Sequence, residues 1–343
     1  MRINVKTSTG EYPVITGRGL LSDFGSIAAE TLGSSRAAVV TDDNVAPFYL
    51  STLLSSLPSD TPCYIIPHGE KSKNWELAGK ILEWLAEVRL TRSDVVIALG
   101  GGVVGDLAGF AAGVYMRGIK YVQAPTTLLA AIDSSVGGKT AVDLPAGKNL
   151  AGRIYPPSMV VFDADTLSTL PKAEWKCGMG EAVKYGVLAG GEIFDILEKG
   201  VTPDDLGTLV DDCILYKRDV VQEDENENGR RRLLNLGHTV GHAIETESAL
   251  GFPHGVCVAM GIYVVARACV RSGILPMTDY KRIVALLQKY GFPECPYSVR
   301  SVLPRVAHDK KLTEGTVKAV LIRGIGNCEI KPFTLTELED YLS

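Results

Sequence analysis

Three features of the sequence predict an α/β chain in two domains: short β-branched runs alternating with helical patterns, a glycine-rich turn directly after one such run, and a second half in which helical spacing dominates. The N-terminal domain, residues 1–170, is expected to carry a mainly parallel, Rossmann-like sheet. The C-terminal domain, residues 171–343, is expected to be all-helical.

Taken in order, AAVVTD (37–42) and DVVIALG (94–100) read as buried strands, each ending where polar or glycine residues take over. Between them Leu77, Ile81, Leu82, Leu85 and Val88 recur at helical spacing, with Asn74 placed to cap the helix. YVQAP (121–125) and MVVFDAD (159–165) continue the strand series, and a boundary falls near 165–172. Beyond Pro171 helices are predicted over 192–199, 237–248, 256–270 and 278–290, the last stopped by Gly291. Thr334 and Glu337 have the spacing of a capping box. The acidic run QEDENENG (222–229) reads as a solvated loop.

The chain has 343 residues, 46% of them hydrophobic and 22% charged, enough for two packed cores and well away from disordered compositions. A net charge of -5 argues against nucleic acid as the main partner. Seven scattered cysteines without a C-x-x-C pair read as reduced thiols. The start MRINVKTSTGEY lacks the apolar run of a secretion signal, and the longest apolar stretch is broken by Gly261 and Arg267. The expectation is a cytoplasmic protein with no membrane partner.

GGGVVGD, Gly100 to Asp106, follows the DVVIAL strand, and Gly100, Gly102 and Gly105 satisfy G-x-G-x-x-G. Glycines there let backbone N–H groups approach a pyrophosphate at a helix N-terminus. Twenty residues on stands Pro125 rather than an acidic ribose partner, so Asp42, ending an earlier strand, is the better candidate for that contact. DSSVGGKT (133–140) ends like a phosphate-binding P-loop but has Asp133 where the first glycine is required, which excludes an ATPase reading.

LLNLGHTVGHAIE puts His238 and His242 four residues apart on one helical face, and His254 opens the next helix. Imidazoles at that spacing suit one metal, and Glu181 in GMGEAVKYG supplies a carboxylate for the set. Spacing alone does not choose among His238, His242 and His254. Lys139, Lys148, Lys184, Lys217 and Arg231 each lie inside or beside a glycine-rich or histidine-bearing motif. In that company they point to a polyanionic substrate, such as a phosphate that also bears a carboxylate.

Read together, these segments resemble the 3-dehydroquinate synthases. The resemblance runs from Gly100 to Gly152 nearly throughout, then through TLP (169–171), GMGEAVKYG, LLNLGHTVGHAIE, PHGVCVAMG and HDKK in the family's order. It implies an active site in the cleft between the domains, NAD and a divalent metal (zinc, or cobalt), and a homodimer. It also implies that Glu181, His238 and His254 ligate the metal, which leaves His242 as a catalytic neighbour. NAD would meet Asp42, Glu70, Lys73, Gly102, Val103, Val104, Gly105, Asp106, Thr126, Thr127, Asp133, Lys139, Lys148, Thr166, Leu167, Ser168 and Thr169. The substrate, 3-deoxy-D-arabino-heptulosonate 7-phosphate, would meet Lys139, Asn149, Lys184, Lys217, Arg231, Asn235 and His242. Arg117 would arrive from a partner subunit, and one of Lys310 and Lys311 would add an anion contact. The rivals are a sister sugar-phosphate cyclase and a metal-dependent alcohol or glycerol dehydrogenase; the latter has no use for the lysine cluster.

Overall fold

The computed structural model describes residues 1–33, 35–247, 251–303 and 316–343. The chain forms two compact units, Met1–Leu170 and Pro171–Ser343. The HDKK lysines, Lys310 and Lys311, lie outside the described residues.

In the first unit β1 (Arg2–Thr7) and β2 (Gly10–Gly17) form an antiparallel hairpin, followed by α1 (Phe24–Leu32), β3 (Ala37–Asp42), α2 (Ser51–Ser55) and β4 (Cys63–Ile66). Then come α3 (Trp75–Glu87), β5 (Val95–Gly100), α4 (Gly102–Val114), β6 (Lys120–Pro125), the hairpin β7 (Lys139–Leu144) and β8 (Gly147–Ile154), and β9 (Met159–Asp163). Asn74 caps α3 as predicted, its side chain accepting the Leu77 N–H.

Seven strands pair in the order β1-β2-β9-β6-β5-β3-β4, and every pairing from β2 to β4 is parallel. Both faces are covered, which is why β3, β5 and β9 read as continuous apolar runs. Alternate residues serve opposite cores: Val40, Val96 and Ala98 pack with Ile81, Leu85 and Leu107. Val39, Ile97 and Leu99 pack with Phe24, Leu53 and Val161 on the other face. From β3 the chain steps outward to β4, then returns to the other side of β3 as β5. The order therefore reverses between β3 and β5, and in such sheets a ligand crevice opens at that point, outside the carboxyl ends of the strands.

The second unit is built from α5 (Lys172–Ala189), α6 (Gly191–Lys199), α7 (Asp205–Glu223), α8 (His238–Glu247), α9 (His254–Arg271), α10 (Met277–Lys289) and the short α11 (Val299–Val302). It is not all-helical. An antiparallel pair, β10 (Thr316–Gly324) and β11 (Asn327–Thr334), precedes the last helix, α12 (Leu335–Leu342). The capping box is present, with Thr334 and Glu337 bonding reciprocally. Helix α9 is long and apolar enough to cross a membrane, but most of it is buried as the core helix of the unit.

Candidate functional site

Most of the nucleotide candidates stand at the carboxyl edge of the parallel sheet. Asp42 ends β3, Gly100 ends β5, Thr126 and Thr127 follow β6, and Thr166–Thr169 lie in the 3-10 turn after β9. Asp42 Oδ1 accepts the N–H groups of Asn44 and Val45, both at 2.9 Å, so this carboxylate also builds the turn it stands in. Burial pushes its pKa up, against those two hydrogen bonds.

The glycine turn works through backbone. Val104 is buried in the core beneath Gly100, so residues 102–104 present N–H groups at the start of α4 rather than side chains, while the Gly105 N–H donates to Gly101 O at 3.0 Å. A Cβ on Gly105 would stand 2.6 Å from Gln123 Oε1 on β6, so the third glycine of the motif is there for close helix–sheet packing. Thr127 Oγ1 accepts the Ala130 N–H, starting the turn that carries Asp133. Tyr49 Oη bonds Thr166 O at 2.9 Å and Thr169 Oγ1 at 2.5 Å, holding the segment with Leu167 and Ser168.

Two expected nucleotide contacts turn out to be partners of each other: Lys73 Nζ lies 2.5 Å from Asp106 Oδ2, both largely buried. Burial pulls the Lys73 pKa down, but attraction to Asp106 and Glu70 outweighs it and keeps the ammonium charged. Lys148 reaches Glu70 at 3.8 Å. Asn149 has a left-handed φ of 54°, and its N–H is held at 2.8 Å by Asp143 Oδ1. The Asp143 N–H in turn donates to Lys73 O at 2.8 Å, which ties the β7–β8 hairpin to the Glu70–Lys73 turn. Asp143 went unread in the sequence because a lone aspartate in a strand carries no motif. Lys139 starts β7, at the opposite end of the hairpin from Lys148 and Asn149.

Arg117 is not brought to this edge. It follows α4, one helix length of about 20 Å from the glycine turn, and precedes the amino end of β6. It is exposed, with φ of 68° next to Met116 at 49°.

In the second unit, helices α5, α8 and α9 bring Glu181, His238, His242 and His254 together. The ligand-capable atoms of the three histidines all lie within 4.8 Å of one another. Glu181 Oε1 is 3.5 Å from His238 Nε2 and 3.2 Å from His254 Nε2. Its other oxygen is 2.5 Å from Lys184 Nζ, one helical turn on; Glu181 and Lys184 are 0% and 1% exposed. Three partly buried imidazoles and a buried carboxylate in one cluster form a donor set that suits a divalent cation of the zinc type.

Glycines set this geometry. A Cβ on Gly255 would fall 1.8 Å from Cys177 O, and one on Gly180 would fall 2.1 Å from Gly255 O. Those on Gly237 and Gly241 would lie 2.5 and 2.9 Å from carbonyls of Val258 and Cys257. Each of these glycines adjoins a residue of the cluster, and backbone-to-backbone approach is what lets Glu181 reach two rings on other helices.

Of the anion candidates, Lys184, Lys217 and Arg231 sit in the same unit, whereas Lys139 and Lys148 belong to the first. Lys217 on α7 and Arg231 are buried. Arg231 donates to Glu225 O at 2.6 Å, and Asn235 Nδ2 donates to Glu227 Oε1 at 2.5 Å. Asp224 accepts the N–H groups of Asn228, Gly229 and Arg231. Gln222 and Glu223 of the acidic run end α7 instead of lying in a loop, and the rest of the run is a scaffold for Arg231 and Asn235, a role its composition did not signal.

His254 also meets a second carboxylate, Glu245, at 3.4 Å. Burial lowers its pKa, but hydrogen bonds to Glu181 and Glu245 outweigh that and raise it from 6.5 to about 9. A folded value above the unfolded one means stabilisation that is complete below the unfolded value and lost as pH rises through the folded one. Metal-stripped protein should accordingly lose Tm between about pH 7 and 9. A His254→Ala variant followed by calorimetry should show a flatter profile over that window; an equally steep one would assign the loss to other groups.

The fold of these two units is shared with synthases that were solved with NAD+ and a divalent metal. A 2-deoxy-scyllo-inosose synthase solved with carbaglucose-6-phosphate, NAD+ and Co2+ has a TM-score of 0.89 at 27% identity, covering 100% of this chain and 99% of that one. A 2-epi-5-epi-valiolone synthase from Streptomyces hygroscopicus, solved with NAD+ and Zn2+, gives 0.88 at 25% identity over 100% and 98%. Within that fold the chain belongs to the 3-dehydroquinate synthase family. The family's N-terminal model matches residues 63–177 and its C-terminal model residues 178–312. The 3-dehydroquinate synthase of Neisseria meningitidis serogroup C is 41% identical over 98% of this chain and 97% of its own length.

Proposed function

We propose that the chain converts 3-deoxy-D-arabino-heptulosonate 7-phosphate into 3-dehydroquinate and inorganic phosphate, as a cytoplasmic homodimer of the shikimate pathway. The observation that carries the reading is Glu181, held against His238 and His254 on one oxygen and Lys184 on the other. That arrangement combines a cation site with a buried positive charge for an anionic substrate, within a chain that matches a member of this family over 98% of its length.

In this reading the first unit takes NAD and contributes Lys139 and Asn149 to the substrate, and the second takes the metal and the remaining substrate contacts. Asp42 offers a carboxylate to a ribose, and the start of α4 offers N–H groups to a pyrophosphate, with Glu70, Lys73, Asp106, Thr126, Thr127, Asp133, Lys148 and Thr166–Thr169 around them. Glu181, His238 and His254 would hold zinc or cobalt. When bound, NAD supplies a hydride acceptor that is restored within each turnover, and the cation supplies polarisation of a substrate oxygen. Lys139, Lys184, Lys217 and Arg231 neutralise the substrate's carboxylate and phosphate, so that phosphate can leave without the sugar acid shifting its pose. Asn149 and Asn235 would orient hydroxyls, and His242 would move a proton beside the cation. Arg117 would serve a partner's site.

Two experiments test the reading. With NAD in catalytic amount, phosphate should appear in step with 3-dehydroquinate while NADH absorbance never exceeds the enzyme concentration. Stoichiometric NADH without phosphate would restore the dehydrogenase, and silence with this substrate would favour a sister cyclase. In the second, His254→Ala should abolish stoichiometric metal by elemental analysis, whereas His242→Ala should keep most of it. Equal loss in both would make His242 a ligand.

A further inference from the structure

We propose that Glu245 is a positioning residue for His254: its carboxylate takes the Nδ1–H and so presents Nε2 to the cation. The inference rests on the metal reading above and adds a residue to it. Helix α8 places His238, His242 and Glu245 at i, i+4 and i+7, so Glu245 returns to the face of His238, within roughly 20° of it around the helix. Glu245 is 9% exposed, too buried for a carboxylate without a partner. Its Oε2 stands 3.4 Å from His254 Nδ1, while His254 Nε2 stands 3.2 Å from Glu181 Oε1. The ring is clamped between carboxylates on its two sides. Glu245 therefore meets the ring edge that faces away from Glu181, where a residue acts on a ligand rather than as one.

His238 shows the same arrangement with a different acceptor. Its Nδ1 lies 3.1 Å from Leu236 O, and its Nε2 faces the same Glu181 oxygen at 3.5 Å. A carbonyl can only accept, so Nδ1 of His238 carries a proton, and in the neutral ring that a cation requires the lone pair is on Nε2. Glu245 gives His254 the matching tautomer, and a carboxylate there also raises the basicity of Nε2. One Glu181 oxygen is thus faced by two Nε2 atoms, each fixed from behind.

The test uses full-length, chelator-stripped protein titrated with zinc against a chromophoric chelator. Glu245→Ala should weaken zinc binding about 10- to 100-fold. Glu245→Gln should fall between that variant and wild type, because its amide oxygen still accepts from Nδ1–H. Histidine 15N NMR on zinc-loaded wild type should show a proton on His254 Nδ1, assigned by its loss in His254→Ala. If both Glu245 variants bind zinc as wild type does while His254→Ala loses it, the positioning inference falls and the metal reading stands. A His254 Nδ1 without a proton in wild type would overturn it equally, and that measurement decides the matter should Glu245→Ala not fold. If wild type binds no zinc, or His254→Ala binds it undiminished, the metal reading itself fails and the inference with it.

Discussion

A Gly255→Ala variant is expected to lose about 2–3 kcal/mol of stability and, with it, most of its affinity for divalent cations. Alanine would ordinarily do no harm here, since Gly255 lies in the first turn of α9 and alanine favours helix over glycine by up to about 1 kcal/mol in an interior. The added methyl, however, would fall 1.8 Å from Cys177 O, and its neighbour is backbone that cannot rotate away. Helices α5 and α9 must separate by roughly an ångström or more to restore van der Waals contact. That separation is several times the roughly 0.2 Å of slack in a ligand sphere, and it moves His254 away from Glu181. Gly207 in α7 is the control, because a Cβ there meets nothing within 4 Å. Gly207→Ala should gain about 0.5–1 kcal/mol by removing backbone entropy from the unfolded chain. Urea denaturation and zinc titration of both variants check the argument. Equal stability of the two would show that the close approach of α5 and α9 is not what sets the site.

How much of this was legible in the sequence depended on whether a signal was local. Strands β3, β5, β6 and β9 are buried on both faces and announce themselves as short apolar runs between turn residues. Helix α3 shows its amphipathic stripe and its Asn74 cap. Helix α5 did not show itself, because Cys177–Leu188 is buried on every side and interrupted by Gly178, Gly180 and Gly186, which removes any stripe. The β10–β11 hairpin was missed for another reason: its register depends on partners across the chain turn, not on periodicity within one strand. In the site, His238 and His242 were readable as an i, i+4 pair, yet helical spacing could not tell ligand from neighbour. The contact of Glu181 with His238 and His254 joins three separate helices, and no spacing rule spans them. Glu245 falls under the same spacing rule, three residues beyond His242, but a glutamate near a helix end has so many ordinary explanations that spacing does not single it out.

Lys184→Ala should show two losses that separate under one added ion. Lys184 Nζ is 2.5 Å from Glu181 Oε2, and both side chains are removed from solvent. Deleting the lysine leaves a carboxylate buried without its nearest positive charge, which costs about 3–5 kcal/mol when one partner of a buried pair is removed. Stability of the metal-free variant should therefore fall, and more than for a surface lysine, where about 0–1 kcal/mol is usual. Zinc gives Glu181 a new cationic partner, so the Tm gap between variant and wild type should narrow when zinc is present. Activity should not recover with it. If Lys184 also faces an anionic substrate, zinc-loaded Lys184→Ala should still lose at least about 100-fold in kcat/KM, the scale of roughly 3 kcal/mol of electrostatic stabilisation. Lys184→Met, which keeps the buried stem volume, controls for packing against Tyr185, whose ring lies 4.7 Å from the ammonium. A zinc-loaded, folded variant with near-normal kcat/KM removes Lys184 from the chemistry and leaves it a structural partner of Glu181. A metal-free variant as stable as wild type removes it from that partnership as well.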